Sequence, residues 1–277
     1  MSRSEFSPFL GAAKWDWYRA TLSADSLPDL RDYLERGWPN GSWFPARPMH
    51  GYTSGQALMA GDLRLVSVWS GGNAGTACLE SSGEQSSVLA DALKSWGGSY
   101  RVTRCDSALD WEEAGLFDAL AASLLEFARQ KGLKINQQGD WERGRARTLY
   151  VGSKSSPVFL RLYEKGFQVE GESTSHPDWV RCEVQCSPAK GRRAAAALWT
   201  PADVWGAGWV ADAVERFFLI PGARLPVGVI RTAGDAARRR EWLLRVGGRA
   251  LREWLDDCGG DTAAFGSAVA DALLDDG

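Results

Sequence analysis

The chain has little histidine, since His50 and His176 are the only two among 277 residues and lie far apart in sequence. This scarcity excludes an HExxH zinc motif and any metal site with three histidine ligands, although a Ser-His-Asp site stays possible in principle. The five cysteines are an odd number and contain no CxxC pair. We therefore expect reduced, buried thiols rather than a disulfide framework.

Long hydrophobic runs are also missing. No stretch approaches 18 apolar residues, and residues 1–5 (MSRSE) are not followed by the apolar segment of a signal peptide. We expect a soluble protein of the cytoplasm with no membrane partner.

The chain has no excess of positive charge, because its formal net charge is −3. The distribution is uneven, however: residues 143–252 carry 19 basic and 10 acidic side chains, and residues 253–277 carry seven acidic side chains and no basic one. The basic segment is therefore suited to a polyanion, in spite of the acidic total.

Strand patterns concentrate before residue 187 and helical patterns after it. The clearest strands are expected at 100–110, 148–152, 158–165 and 179–186, and the clearest helices at 111–131, 201–218, 233–257 and 261–274. This order predicts an α+β fold with a central, mostly antiparallel sheet and flanking helices. We place an α+β domain at 1–187 and a helical C-terminal region, packed on it, at 188–277.

Three of the expected strands carry polar residues at every second position, which places those residues on one face of a sheet. The members are Arg104, Asp106 and Asp110; Arg161, Tyr163 and Lys165; and Arg181, Glu183 and Gln185; a fourth strand ends in Glu80. Each strand alone is more typical of the solvent-facing side of an antiparallel sheet than of a site. The pattern becomes informative only if the strands are neighbours.

Neighbouring strands would bring several carboxylates, a tyrosine and several cations onto one surface. Clustered carboxylates repel one another unless a hard cation lies between them, and Mg²⁺ or Mn²⁺ prefers oxygen ligands. A tyrosine next to a lysine and a metal ion can serve as a nucleophile, because its phenolate is stabilised. The constellation indicates phosphoryl-transfer chemistry on an anionic substrate.

Three stretches of the chain resemble the Rep_trans-type replication initiation factor family, namely 101–111 (RVTRCDSALDW), 148–166 (TLYVGSKSSPVFLRLYEKG) and 179–186 (WVRCEVQC). A weaker block at 75–83 and a looser match at 236–254 accompany them. The family includes initiators of small rolling-circle plasmids, replication proteins of filamentous phages and prophages, and relaxases of some conjugative elements. The resemblance implies a metal-dependent, sequence-directed enzyme that nicks one strand of an origin. Strand transfer then proceeds through a 5′-phosphotyrosine, and residues 1–187 would form the nicking domain.

The resemblance also assigns roles to individual residues. Tyr163 matches the nucleophile, and Lys165 follows as its charge-stabilising partner. The implied ligands of Mg²⁺ or Mn²⁺ are Asp106 and Glu183, with Asp110 and Glu80 as further candidates. The implied DNA contacts are Arg161, Arg181, Lys154, Ser153 and Arg104. Tyr150 is a rival nucleophile and otherwise a further DNA contact.

Several alternatives stay open. The compact length favours an initiator of a filamentous phage or prophage, but a relaxase would use the same chemistry. A DNA-binding protein with remnant blocks would bind origin DNA without a covalent adduct, and an unrelated metal-dependent nuclease would not need Tyr163. The implied partner is origin DNA, single-stranded or locally melted, in a bacterial cytoplasm. A host helicase and a second copy of the chain are further partners that the family suggests. We find no helix-turn-helix pattern before residue 50.

Overall fold

The structure is a computed structural model that describes residues 12–73, 75–218 and 251–275. The chain divides into two compact units, Met1–Val229 and Ile230–Gly277. The first unit is built on one antiparallel sheet, so the α+β class expected from the sequence is confirmed.

Ten strands of the described part of the first unit form this sheet in the order β2-β3-β4-β5-β1-β6-β10-β9-β8-β7. Their bounds are β1 Lys14–Ser23, β2 Ser42–Ala46, β3 Ser54–Ala60, β4 Leu63–Ser70, β5 Thr76–Ser82, β6 Tyr100–Glu112, β7 Ile135–Asp140, β8 Arg145–Gly152, β9 Val158–Glu164 and β10 Trp179–Cys186. The neighbouring pairs are antiparallel. The three strands with alternating polar residues, β6, β10 and β9, are therefore adjacent at the centre of the sheet.

Helices of the first unit pack against one face of the sheet, with one exception. They are α1 Leu27–Gly37, α2 Gln85–Trp96, α3 Leu116–Gln130, α4 Lys165–Glu170, α5 Pro201–Val204 and α6 Val210–Phe218. The exception is α4, which follows directly after β9 and contributes no residue to the hydrophobic core cluster. Apolar residues of α1, α2, α3, α5 and α6 join a single core cluster with Cys105, Leu109, Leu162 and Val184 of the central strands. Because side chains alternate between the two faces of a strand, the polar residues that alternate with these core residues along β6, β9 and β10 lie on the opposite face. In the second unit, residues 251–257 are helical and are followed by α7, Thr262–Asp275.

Two expected helices are wrong in their bounds. Trp111 and Glu112 continue strand β6, where they pair with β10, and α3 begins only after Gly115, whose φ is 77°. The single helix expected at 201–218 is two helices, separated by a turn that includes Gly208 with a φ of 52°. Of the helix expected at 233–257, residues 251–257 are helical and the others lie outside the described residues.

The five cysteines are free, as the sequence predicts, and four of them are buried. Within the described ranges, no helix combines the length and the apolar character needed to cross a membrane.

Candidate active site

The register of the central strands gathers the three polar blocks into one cluster on the face opposite the helices. Glu183 of β10 pairs with Ala108 of β6 on one side and with Arg161 of β9 on the other. One step along, Arg181 lies between Asp110 and Tyr163. Residues directly opposite one another in antiparallel strands project to the same face. The blocks separated in sequence thus share one surface.

Two buried carboxylates lie at the centre of this surface. Asp106 is 0% exposed and Glu183 is 2% exposed. The Arg104 guanidinium contacts both oxygens of Asp106, and Arg161 forms an ion pair with Glu183. Burial raises the pKa of Asp106 to about 7, in spite of Arg104, and the charge of Glu183 adds to the rise. Burial likewise raises the pKa of Glu183, with Arg161 opposing the shift.

The Tyr163 hydroxyl lies next to this pair. It donates a hydrogen bond of 3.4 Å to Glu183 Oε2, and the side chain is 5% exposed. Burial raises the pKa of Tyr163, and the negative charge of Glu183 adds to this effect. Arg161 lies 5.5 Å and Lys165 Nζ 5.7 Å from the centroid of the tyrosine ring. The phenol is therefore placed between a carboxylate that can accept its proton and two cations that can stabilise negative charge.

Lys165 is the first residue of α4, directly after β9 ends at Glu164. Its ammonium group donates to Gln168 Oε1 at 2.8 Å. Partial burial lowers the pKa of Lys165, and the positive charge of Arg181 lowers it further. The turn from strand to helix keeps this cation at the tyrosine ring.

Arg181 is held by two carboxylates and is 7% exposed. It donates to Asp110 Oδ1 at 2.7 Å and to Asp16 Oδ1 at 2.6 Å. Asp110 also accepts from Lys14 at 2.8 Å and from Trp179 Nε1 at 3.0 Å. Burial alone would raise the pKa of Asp110, but the hydrogen bonds from Arg181, Lys14 and Trp179 lower it. Asp110 therefore lies in a second ion cluster, about 13 Å along β6 from Asp106 at the usual rise per residue.

Asp16 was missed by pattern analysis of the sequence. On β1, Trp15 pairs with Ser107 and Trp17 pairs with the next residue of β6, Asp106, so Asp16 is an extra residue of β1 without a partner position of its own in β6. Such a β-bulge breaks the two-residue period and redirects side chains. Counting alternate positions along 15–22 therefore does not place Asp16 on the polar face. The ion pair with Arg181 identifies it.

Glu80 lies at a distance from the central carboxylates. It forms an ion pair with Arg19 and lies 3.6 Å from His50 Nε2. The register places Glu80 opposite Arg19, which in turn lies opposite Arg104. Arg104 and Arg19 lie 4.5 and 6.0 Å from the ring centroid of Trp17. Glu80 and Asp106 are thus separated by a layer of arginines.

The remaining candidates lie on β8 and in the loop after it. Tyr150 is opposite Arg161, but its hydroxyl donates to Gln138 Oε1 on β7 at 3.2 Å, and its ring stacks on Phe159. Lys154 Nζ lies 5.8 Å from the Tyr150 ring centroid. The Ser153 hydroxyl is 2.9 Å from that of Ser155. The Tyr150 hydroxyl therefore faces the edge strand, whereas the Tyr163 hydroxyl faces Glu183.

The donor atoms allow a test of whether a divalent cation fits. Within the described residues no group of three or more His, Cys, Asp or Glu side chains is arranged to hold a metal ion. Asp106 and Glu183, however, are two carboxylates on one face with their charged forms destabilised by burial. Mg²⁺ is commonly bound by one or two carboxylates, with water and substrate phosphate as the other ligands. The pair fits such an open site rather than a closed protein cage.

A match with a known protein family covers the three central strands β6, β9 and β10. Residues 100–212 match the family model Rep_trans, described as replication initiation factor. The matched range contains all three sequence blocks, so the resemblance is confirmed there, and the weaker block at 75–83 lies outside it. No curated protein matches the sequence. A solved structure of a rolling circle replication initiator protein from Geobacillus stearothermophilus is similar, with a TM-score of 0.48 and 18% identity over 73% of this chain and 79% of that chain.

Proposed function

We propose that this protein initiates rolling-circle DNA replication by nicking one strand of an origin. The basis is the match of residues 100–212 with the replication initiation factor family. The observation that carries the proposal is the Tyr163 hydroxyl, hydrogen-bonded to Glu183 within the cluster that contains Asp106. A phenol between a proton acceptor and two cations is suited to nucleophilic attack on a phosphodiester. The match supports replication initiation as the general function, and the geometry supports the nicking chemistry.

In the proposed step, Tyr163 Oη attacks the phosphorus atom and forms a phosphotyrosine bond. The bond from phosphorus to the 3′ oxygen breaks, and that oxygen leaves with the bonding electron pair and takes a proton from solvent. Glu183 Oε2, which already accepts the hydrogen bond, takes the phenolic proton and passes it to solvent, so that the carboxylate is ionised again. Lys165 and Arg161 stabilise the negative charge on the phenolate and phosphate. The 5′-phosphotyrosine conserves the bond energy for a later strand transfer.

Asp106 and Glu183 would hold Mg²⁺ or Mn²⁺, and the ion, when bound, would polarise the non-bridging phosphate oxygens. Arg104 and Arg161 neutralise these carboxylates in the ion-free protein. Because guanidinium groups suit phosphate geometry, both arginines can turn to the DNA when a cation takes their place. The proposed partner is a single-stranded or melted origin in a bacterial cytoplasm. Recruitment of a helicase and of a second protomer belongs to the same proposal.

The test is covalent capture. The full chain is incubated with Mg²⁺ or Mn²⁺ and 3′-labelled single-stranded oligonucleotides that tile the replicon encoding it. We expect a labelled protein band on a denaturing gel for the wild type and for Tyr150→Phe, and no band for Tyr163→Phe.

Two other results would contradict the proposal. A band that survives in Tyr163→Phe and disappears in Tyr150→Phe would assign the nucleophile to Tyr150. Complete absence of an adduct from the wild type, with every oligonucleotide and either metal, would leave an origin-binding protein without nicking activity.

A further inference from the structure

The face that carries the candidate active site continues across the other half of the sheet. Arg104 is opposite Arg19, Arg19 is opposite Glu80, and Glu80 is opposite Ser67. Ser67 is opposite Ala57, and Ala57 is opposite Phe44 of β2. Opposed residues share a face, so an unbroken row leads from Arg104, next to Asp106, to the edge strand. The distance from β6 to β2 is about 24 Å at the usual strand spacing.

A groove of about 600 Å³ lies at the outer end of this row. Its lining includes Phe44, Arg47, Met49, Met59, Arg64 and Trp69. Phe44 is 53% and Met49 is 47% exposed, which is unusual for large apolar side chains. Arg47 and Arg64 are exposed, and neither guanidinium forms an ion pair with a residue in the described ranges. The groove thus combines apolar surface with two arginines that form no ion pair among the described residues, and one carboxylate, Asp62, also lines it, so cations outnumber anions there by two to one.

The wall between the groove and the central cluster is held in place by specific contacts. Trp69 Nε1 donates to the carbonyl of Arg47 at 3.0 Å, and the His50 ring packs edge-on against Trp69 at 4.9 Å. His50 has a φ of 57°, in the left-handed region, and its Nε2 lies 3.6 Å from Glu80. The loop from Arg47 to His50 therefore joins the groove to the Glu80–Arg19 pair.

We propose that this groove binds the single strand several nucleotides away from the nick, an inference that rests on the proposed function. Single-stranded nucleic acid is bound by cations that follow its phosphates and by side chains on which bases stack. Arg47 and Arg64 supply the cations, and Phe44 supplies a ring on which a base can stack. The row of aligned residues connects the groove to Asp106, and several nucleotides of an extended strand cover the intervening distance. A wholly apolar protein partner would leave the excess positive charge of Arg47 and Arg64 over Asp62 without a counter-charge.

The test compares two lengths of oligothymidylate by fluorescence anisotropy, with the full chain and no metal. The probes have about 6 and about 16 nucleotides, which brackets the site sizes of single-strand-binding domains. The variants are Phe44→Ala and the double variant Arg47→Ala, Arg64→Ala. The matched controls, Leu198→Ala and Arg129→Ala, remove an exposed apolar side chain and an exposed cation from elements packed behind the sheet.

We expect the wild type and both controls to bind the longer probe more tightly than the shorter one. Each groove variant should lose about tenfold in affinity for the longer probe and keep its affinity for the shorter one. The double arginine variant should also lower the slope of log K against log salt by about 1.4, because two phosphate contacts are lost. Unchanged thermal midpoints confirm that the variants fold.

Equal binding of the longer probe by wild type and groove variants overturns the inference and points to another occupant of the groove. The result is independent of the covalent assay. If the wild type forms the adduct and the groove variants keep the preference for the longer probe, the groove proposal is contradicted and the nicking function is supported. If the variants lose the preference for the longer probe but the wild type forms no adduct, the groove binds the single strand and the proposed nicking function is contradicted.

Discussion

At the scale of the residue, Asp106 and Glu183 are carboxylates in an environment that destabilises their charged forms. Both are almost fully buried, and each has an arginine as its main counter-charge. Carboxylates with perturbed pKa values are more common at functional sites than elsewhere, and Glu183 also accepts a hydrogen bond from Tyr163. A core built for stability alone would place apolar side chains at these positions.

The buried charge of Asp106 predicts a pH dependence of stability. Burial raises its pKa from the ordinary 3.8 of an aspartate to about 7, so between these values the folded protein holds a proton that the unfolded chain releases. Stability therefore falls as pH rises through this window, by about 1.4 kcal/mol per pKa unit of the shift. In buffer with a chelator, we expect the thermal midpoint to fall as the pH rises from 4 to 7 and to level off above pH 7, and Asp106→Asn to reduce the slope.

The matched control is Asp29→Asn, which changes an exposed carboxylate of α1 and should keep the wild-type slope. Addition of Mg²⁺ at pH 8 should raise the midpoint of the wild type, because an ion that binds only the folded state stabilises it. It should leave Asp106→Asn unchanged. Identical slopes for the wild type and Asp106→Asn would contradict the assignment.

Arg181 illustrates a different consequence of burial. Removing one member of a buried ion cluster leaves the others uncompensated, at a cost of about 3–5 kcal/mol. We expect Arg181→Met to lower the free energy of unfolding by that order, since Asp16 and Asp110 lose their shared partner. Lys14→Met removes an exposed partner of Asp110 and should cost about 1 kcal/mol or less. Urea titration measures both, and equal losses would show that Arg181 has no special role.

At the scale of the element, the junction between β9 and α4 positions Lys165. A Cβ atom on Gly166 would lie 1.9 Å from the backbone oxygen of His176, so only glycine allows α4 to begin there. We expect Gly166→Ala to destabilise the protein by about 1–3 kcal/mol through overpacking and to lower the yield of covalent adduct.

Gly37 offers the control for this substitution. A Cβ there meets nothing within 4 Å, and the residue lies at the end of α1. Gly37→Ala should be neutral or stabilising by about 0.5 kcal/mol, because alanine restricts the unfolded chain. Adduct yield and chemical denaturation are measured on both. A Gly166→Ala protein as stable and active as Gly37→Ala would show that α4 can move without consequence.

The elements also differ in how well sequence predicts them. Strands β9 and β10 were predicted within one residue of their ends, because their alternation is regular and proline precedes β9 at Pro157 and follows β10 at Pro188. Trp111 and Glu112 fit a helical period, but hydrogen bonds from β10 keep them in β6. Long-range pairing of this kind outweighs local propensity.

At the scale of the whole molecule, the candidate site residues all lie in the first compact unit, Met1–Val229. Residues 230–252 carry seven basic and two acidic side chains. We expect a chain that ends at Val229 to form the covalent adduct with a single-stranded oligonucleotide at a rate close to that of the full chain. Its affinity for duplex DNA should be weaker and less dependent on salt, because fewer counterions are released.

The two assays are run on the same preparations, with circular dichroism to verify folding. Loss of the adduct from a folded 1–229 protein would show that the second unit contributes to the nicking site. Unchanged affinity for duplex DNA would assign recognition of the origin to the first unit alone.

The sequence by itself determined the fold class and predicted the residues of the proposed chemistry. Period-two spacing places Asp106, Tyr163 and Glu183 on defined strand faces, and the scarcity of histidine favours carboxylates as ligands of the proposed metal ion. Only the tertiary structure decided which of these groups meet. Strand order places β10 between β6 and β9, and the register separates Asp110 and Glu80 from Asp106. The bulge that brings Asp16 to Arg181 is a property of the pairing between β1 and β6. Local spacing follows from the chain itself, whereas register depends on hydrogen bonds between strands far apart in sequence.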